Sequence, residues 1–295
     1  MKNTPTYGLT LSCPSEVGQV AAVVKFLADR QCYIAEIAVF DDDDFRTFFL
    51  RCIFRAPEDE SLQQERLRAD YYAHLCADFS VIAEQFGMHW QIHDMHHRPK
   101  VVVMVSKLDH CLADLLFRWK MGELPMDFTA IISNHPDLAP LAAAHNIPFH
   151  HLPVTQETKA EQEGEVLALI AGYGAELVVL ARYMQIFSEE TSATLRGKAI
   201  NIHHSFLPSF KGAKPYHQAY QRGVKLIGAT SHFITDDLDE GPIIEQAVER
   251  VDHTYTPEKL LAVGRDVECL ALSRAVQYFI EHRLFVNANR TVILQ

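Results

Sequence analysis

The amino-acid sequence predicts an α/β protein of two domains, a small α+β domain followed by a larger domain with a mainly parallel sheet. Residues 7–92 contain short apolar strands between two stretches with apolar residues at helical spacing. Residues 93–100 form a polar, cationic stretch in which Pro99 disfavours a helix. From residue 101, continuous apolar runs alternate with helical patterns, which is typical of strands buried on both faces of a parallel sheet.

The composition limits the classes of function. The 295 residues are 48% hydrophobic and 22% charged, which suits folded domains with their own cores and excludes general disorder. The net charge of −11 disfavours a nucleic-acid partner, although a local basic pocket can still bind a small anion. The six cysteines lack C-x-x-C spacing, so we expect reduced thiols in a cytoplasmic protein. No signal peptide and no uncharged run of about 18 residues is present, so no membrane segment is expected.

The first domain is predicted over residues 1–92 from its order of elements. Pro14 and Ser15 are helix-start signals after the first strand, and the aspartates at 41–44 are typical of a solvated hairpin tip. The predicted elements are a strand at 7–12, a helix at 17–30, strands at 32–40 and 45–54, a helix at 62–87 and a strand at 88–92. This βαββαβ order predicts a ferredoxin-like arrangement.

The second domain is predicted over residues 101–295, after a linker at 93–100. The linker histidines are a weak metal signal, because no further ligands follow at suitable spacing. The predicted strands are 101–105, 129–132, 148–149, 177–180, 199–203 and 228–233, and the predicted helices are 108–120, 138–145 and 161–171. Sheets of this kind bind ligands outside the carboxyl ends of their strands.

Several familiar catalytic motifs are missing from the chain. Gly172 and Gly174 precede a strand and lack a third glycine, so they predict a turn rather than a dinucleotide site. The sequence has no Walker loop, no H-E-x-x-H, no G-x-S-x-G and no H-x-E with C-x-x-C. Nicotinamide chemistry, phosphoryl transfer, zinc chemistry and serine-esterase chemistry therefore lose their usual support.

The most informative polar residues are Asn201, His203 and Asp239. Residues two apart on a strand face the same side, so Asn201 and His203 are expected to project together from a strand end. An amide can stabilise an oxyanion, a histidine can move a proton, and a carboxylate can orient the histidine or collect the proton lost by water. From the pattern alone, a structural hydrogen-bonded pair and a turn aspartate remain the alternative.

A string of motifs then indicates a family. They are NIHHSFLP at 201–208, GAKPYHQAY at 212–220, GVKLIGAT at 223–230, DEGPII at 239–244, VDHTY at 251–255, GRDVE at 264–268 and NRTVI at 289–293. In these motifs the chain resembles the formyltetrahydrofolate deformylase family from about residue 98 to the end. The resemblance implies a Rossmann-like formyltransferase fold and hydrolysis of 10-formyltetrahydrofolate to tetrahydrofolate and formate, which supplies formate and balances the one-carbon folate pool. Two roles stay open: formate for purine biosynthesis, or recycling of tetrahydrofolate during catabolism.

The same resemblance implies residue roles. Asn201, His203 and Asp239 are the expected catalytic residues, with no metal and no cofactor beyond the folate substrate. The segment at 182–187 is similar to the one that wraps the pterin ring, and the loop at 235–241 would close the other side. The implied folate-binding residues are Arg182, Met184, Ile186, Phe187, Thr235 and Gly241. A helix start with ordinary core residues is the alternative for the first segment.

The turn at 106–112 bears on the acceptor of the formyl group. It contains no glycine and it carries Asp109, so backbone amides are not expected to cradle a phosphate there. This favours water over a phosphorylated amine. A formyltransferase acting on an amine, or a folate- or amino-acid-binding regulatory protein without catalysis, remain the alternatives.

The first domain resembles an ACT domain in Cys13-Pro14 followed by Gly18 and a helix. The resemblance implies an effector loop at Pro14, Ser15 and Gly18, an amino-acid effector such as methionine or glycine, and a homodimer or homotetramer. A purely structural dimerisation domain is the alternative, because a fold does not fix a function.

Overall fold

A computed structural model describes residues 4–207 and 215–295. The chain folds into two compact units. The first runs to His97 and includes Glu281–Phe285 and Val292–Gln295, and the second comprises Arg98–Ile280 and Val286–Thr291. Residues 208–214, which carry parts of two matched motifs, lie outside the described residues.

The first unit is a four-stranded antiparallel sheet with two helices. Its elements are β1 (Thr6–Pro14), α1 (Gln19–Asp29), β2 (Tyr33–Asp42), β3 (Thr47–Arg55), a 3-10 turn (Glu60–Gln63), α2 (Glu65–Gln85) and β4 (His89–Asp94). The strand order β2-β3-β1-β4 agrees with the predicted ferredoxin-like arrangement. The helix predicted over 62–87 instead begins after the 3-10 turn, where the Asp59 carboxylate accepts the Ser61 backbone N–H at 2.8 Å. At the hairpin tip, the Asp42 carboxylate accepts the backbone N–H groups of Asp44 and Phe45.

The bounds of the first unit differ from the predicted 1–92 for two physical reasons. Strand β4 pairs with β1 as far as Asp94, so the linker is shorter than the predicted 93–100. The C-terminal segment packs on this unit: the Arg51 guanidinium donates two hydrogen bonds, of 3.2 and 3.0 Å, to the Glu281 carbonyl. The rings of Phe49 and Phe285 also meet edge to face at 5.5 Å. These contacts join residues more than 200 positions apart, which no local pattern reveals.

The second unit is a seven-stranded sheet with helices. Its elements are β5 (Lys100–Val105), α3 (His110–Met121), β6 (Asp127–Ser133), α4 (Ala139–Ala144), β7 (Phe149–His151), α5 (Lys159–Tyr173), β8 (Leu177–Leu180), α6 (Glu189–Thr194), β9 (Ala199–His203), α7 (Pro215–Arg222), β10 (Leu226–Phe233), β11 (Ile243–Arg250) and α8 (Pro257–Ile280). Two short strands, β12 (Leu284–Asn287) and β13 (Arg290–Ile293), pair with each other. No helix in the described ranges is both long and apolar enough to cross a membrane.

The sheet of the second unit has the order β11-β10-β9-β8-β5-β6-β7. The strands from β9 to β7 pair in parallel, whereas β10 is antiparallel to β9 and β11 is antiparallel to β10. Residues 101–105 of the central strand are completely buried, as the continuous apolar run predicts. The mainly parallel sheet is thus confirmed; β10 runs opposite to β9 and pairs with it over residues 200–203.

Candidate active site

A cavity of about 280 Å³ opens in the second unit beside the end of β9. Its walls come from the segment after β8, from β9 and β10, and from the loop between β10 and β11. The predicted site residues that line it are Arg182, Met184, Ile186, Phe187, Asn201, His203, Thr235 and Asp239. Gly241 has a packing position instead, since a Cβ there would lie 1.7 Å from the Phe233 carbonyl oxygen.

The central contact joins β9 to the β10–β11 loop. His203 Nδ1 lies 3.2 Å from Asp239 Oδ1, and the Asp239 backbone has the left-handed φ of 59°. Residues other than glycine adopt this conformation rarely, and aspartate is among the side chains that tolerate it best. The other ring nitrogen of His203, Nε2, is buried and has no hydrogen-bond partner in the described part of the chain. Asp239 therefore orients the His203 ring through Nδ1, and Nε2 is available to a ligand.

His232 completes this group and was not predicted from the sequence. It lies directly opposite Asn201 in the β9–β10 register. Its Nδ1 lies 2.9 Å from the Phe233 carbonyl oxygen, so Nδ1 carries a proton and donates it there. Its Nε2 lies 3.2 Å from Asn201 Nδ2 and 3.7 Å from Asp239 Oδ1. His232 Nε2 thus lies between the Asn201 amide and the Asp239 carboxylate and helps to position both.

Electrostatics keep Asp239 ionised. Burial alone would raise the pKa of this carboxyl group, but the hydrogen bonds and charges of His203 and His232 outweigh burial and lower the pKa. The neighbouring His204 also lines the cavity, although no sequence pattern singled it out. Burial, with Arg182 and His203 nearby, lowers its pKa to about 4, so His204 is neutral at neutral pH. The site thus has a fixed anion, Asp239, beside the His203 imidazole.

The segment at 182–187 forms the cavity wall without being helical. Helix α6 begins only at Glu189. Met184 and Ile186 are each 58% exposed, so they are not the core residues that a helix start would supply. Phe187 packs its ring against Tyr183 at 5.7 Å. Apolar surface facing an open cavity suits a flat aromatic ligand.

Buried polar anchors hold this wall in place. The Met184 backbone N–H donates to Ser106 Oγ at 3.0 Å, and Ser106 in turn donates to Asn134 Oδ1 at 2.7 Å. Gln162 donates to the Tyr183 hydroxyl at 3.0 Å. The carboxylate of Glu163, only 4% exposed, accepts the Ser188 backbone N–H at 3.0 Å. Ser106 belongs to the glycine-free turn at 106–112, so that turn supports the wall of the cavity.

A second buried cluster surrounds Glu268, which is 2% exposed on α8. His110 Nε2 lies 2.7 Å from Glu268 Oε2, and the Tyr216 hydroxyl donates to Oε1 at 2.8 Å. Arg182 Nε lies 3.5 Å from Oε2. Hydrogen bonds and positive charges lower the pKa of Glu268 against the effect of burial, so the carboxyl group is ionised. This cluster joins four elements and was not predicted, since its members are scattered in sequence.

His110, Cys111 and Glu268 lie close enough to offer three ligand atoms to a metal ion, all within 4.8 Å of one another. Two observations disfavour a cation there. The Arg182 guanidinium already faces the carboxylate. A hydrogen bond with Cys269, together with burial, raises the pKa of the Cys111 thiol, which therefore stays protonated and is a poor ligand.

In the first unit, Pro14, Ser15 and Gly18 come together at the start of α1. Gly18 has a φ of 101°, a conformation that glycine adopts readily. Ser15 Oγ donates to Asp41 Oδ1 at 2.5 Å, across to the end of β2. Gln19, 4% exposed, donates to the Pro14 carbonyl and is a further polar group of this loop. Whether the loop binds an amino acid stays a prediction.

The second unit belongs to a known class of protein. The Formyl transferase family matches residues 99–276, so this unit has a formyl transferase fold. The formyltetrahydrofolate deformylase of Corynebacterium sp. (strain P-1) is 50% identical over 287 residues, covering 97% of each chain. The chain belongs to the formyltetrahydrofolate deformylase family, as its motifs predicted.

Solved structures agree with this assignment. A formyltetrahydrofolate deformylase from Burkholderia mallei ATCC 23344 is 62% identical with a TM-score of 0.91, covering 99% of this chain and 100% of that one. A glycinamide ribonucleotide transformylase from Symbiobacterium toebii is 29% identical with a TM-score of 0.62, covering 68% of this chain and 95% of that one. The second similarity covers only about two thirds of the chain, whereas the first includes both units.

Proposed function

We propose that this protein hydrolyses 10-formyltetrahydrofolate to tetrahydrofolate and formate. The observation that carries the proposal is the His203–Asp239 pair beside Asn201 in one cavity, in a chain of the formyltetrahydrofolate deformylase family. Water adds to the formyl carbon, and the carbon–nitrogen bond breaks. The products are a secondary amine, the formate anion and one proton. The reaction therefore needs no oxidant and no co-substrate other than water.

The geometry suggests a role for each residue. An N–H of the Asn201 amide and the Nε2–H of a protonated His203 would donate to the oxyanion of the tetrahedral intermediate. Asp239, hydrogen-bonded to His203 Nδ1, would stabilise the imidazolium. The lowered pKa of Asp239 makes it a weak proton acceptor, so holding the imidazolium is its main task and bulk solvent or a bridging water takes the water's proton. His203 Nε2 then delivers a proton to the leaving nitrogen.

The remaining cavity residues would bind the folate. The exposed side chains of Met184 and Ile186 offer apolar surface to a pterin ring, and Thr235 lies on the opposite loop. A volume of about 280 Å³ suits the ring and the formyl group, with the rest of the folate extending outward. Gly241 would act indirectly, by letting the loop pack tightly on Phe233.

The test is formate release by the full-length protein from 10-formyltetrahydrofolate with no amine added. Asp239→Asn should lower kcat by about 10²–10⁴-fold, the usual contribution of acid–base assistance. Asp266→Asn is the matched control, because Asp266 is exposed on α8 and is not among the residues that line the cavity. Wild-type turnover by Asp239→Asn would contradict the mechanism. Formate release only after addition of an amine would favour a formyltransferase, and folate binding without turnover would favour a regulatory protein.

The first unit has a proposed role in assembly and in effector binding. We propose that the ACT-like unit mediates a homodimer or homotetramer and binds an amino acid such as methionine or glycine at Pro14, Ser15 and Gly18. A cytoplasmic location and a contribution of formate to purine biosynthesis stay predictions. Adding each amino acid to the formate-release assay tests the effector.

A further inference from the structure

Arg182 has a buried hydrogen-bond donor, Nε, that the proposed mechanism does not use. Its side chain is 10% exposed and lines the cavity that also contains His203 and His204. Its backbone has a left-handed φ of 66°, which places a long cationic side chain where a glycine would cost less strain. Such a conformation persists only when the surrounding structure holds it.

The Glu268 carboxylate balances the positive charge of Arg182 but accepts no hydrogen bond from it. Its two oxygens already accept hydrogen bonds from Tyr216 and His110, at 2.8 and 2.7 Å. Arg182 Nε, at 3.5 Å, makes an ion pair but no hydrogen bond. Within residues 4–207 and 215–295, the buried Nε of Arg182 has no hydrogen-bond acceptor. A buried donor in this state costs free energy unless a ligand completes it.

The reaction supplies a suitable ligand. The substrate's formyl group is neutral, whereas formate is a planar anion whose two oxygens match two parallel guanidinium N–H groups. Arg182 lines the same cavity as His203, His204 and Asp239. The anion would therefore form in the cavity that Arg182 lines.

We propose that Arg182 forms a binding site for formate, and that this site receives the product as the carbon–nitrogen bond breaks. The inference rests on the proposed function, because hydrolysis produces an anion at this position and transfer to an amine does not. A carboxylate of the folate's glutamate tail has the same chemistry. Formate is favoured because the Arg182 side chain is only 10% exposed, so a small anion reaches it more readily than a long, flexible tail does.

The experiment measures formate binding directly, without turnover. ¹³C-labelled sodium formate is titrated into the full-length protein with tetrahydrofolate present, at constant ionic strength, and its NMR line width reports saturable binding. Arg182→Gln removes the positive charge of the side chain. Arg182→Lys keeps that charge but lacks the two parallel N–H groups of the guanidinium. Both variants keep a non-glycine residue at the same left-handed backbone conformation. Arg265→Gln is the control, because Arg265 is an exposed arginine on α8. A second arm replaces formate with N-(4-aminobenzoyl)glutamate.

We expect formate affinity to fall at least 10-fold in Arg182→Gln, to fall less in Arg182→Lys and to be unchanged in Arg265→Gln. Unchanged affinity in both Arg182 variants, or no saturable binding to the wild type, would overturn the proposal. So would a loss of affinity for N-(4-aminobenzoyl)glutamate alone. These outcomes are separate from the proposed function, which fails only if the wild type releases no formate from 10-formyltetrahydrofolate.

Discussion

Replacing Glu268 by glutamine should be among the most destabilising single changes in the second unit. The carboxylate is 2% exposed and accepts hydrogen bonds from His110 and Tyr216 while facing Arg182. Glutamine keeps the size but turns one acceptor into a donor, so one buried donor loses its partner and Arg182 loses its counter-charge. Breaking a buried pair in this way costs about 3–5 kcal/mol.

The expected change in melting temperature follows from that free energy. For a unit of this size each kcal/mol shifts Tm by about 2–4 °C, so a drop of about 6–20 °C is expected. Thermal unfolding of the full-length protein, followed by calorimetry, resolves the transition of the second unit. Glu161→Gln on the exposed face of α5 is the control and should change stability by less than about 0.5 kcal/mol. Tyr216→Phe removes a single hydrogen bond to the carboxylate and should cost about 1.5–3 kcal/mol, less than Glu268→Gln.

The pH dependence of stability gives a second test of the same variant. Because the folded-state pKa of Glu268 is lowered from 4.5, its contribution is fully present above that pH and is lost as the pH falls through the folded-state value. The stability gap between wild type and Glu268→Gln should therefore be widest at neutral pH and narrow in acid. A gap below about 0.5 kcal/mol at pH 7 would refute the description of Glu268 as a buried ionised acceptor.

Two further outcomes are expected in the second unit. His232→Gln removes one of the two histidines that lower the pKa of Asp239, so that pKa rises and the acid limb of the pH profile of formate release moves to higher pH; a limb that stays in place in steady-state assays would contradict the role of His232. Ser106→Ala leaves the Met184 backbone N–H without its acceptor, a loss of about 1–3 kcal/mol that should appear mainly as a roughly 5- to 150-fold higher KM for the folate. An unchanged KM would show that the anchor does not shape the pocket, and the control is Ser80→Ala on α2, where the hydroxyl makes an exposed hydrogen bond to the Ala77 carbonyl.

The fold was predictable where the sequence pattern is local. The apolar run at 101–105 and the alternating patterns around it predicted the parallel sheet, and the spacing of Asn201 and His203 predicted that they share a strand face. The direction of β10 was not predictable, because a single strand pattern carries no information on its pairing partner. His232 was missed for this reason, since only the antiparallel register brings it opposite Asn201.

The Glu268 cluster shows a different limit. Glutamate in a helix is typical of a surface residue, and only the tertiary structure brings His110, Tyr216 and Arg182 to it. The C-terminal return to the first unit has the same character, because Arg51 and Glu281 meet from distant parts of the chain. Sequence patterns therefore identified the residues exposed to the cavity better than the buried residues that support them.

The antiparallel pairing of β10 and β11 has a consequence for how the site is positioned. Asn201 and His203 are carried by a strand inside the sheet, whereas Asp239 is carried by a hairpin loop that closes where the Phe233 N–H donates to the Pro242 carbonyl. Residues 235–240 take no part in the strand pairing on either side of them, whereas Gly241 is fixed by its close approach to Phe233. The sheet thus determines where His203 lies, whereas the conformation of a short loop segment determines where Asp239 lies.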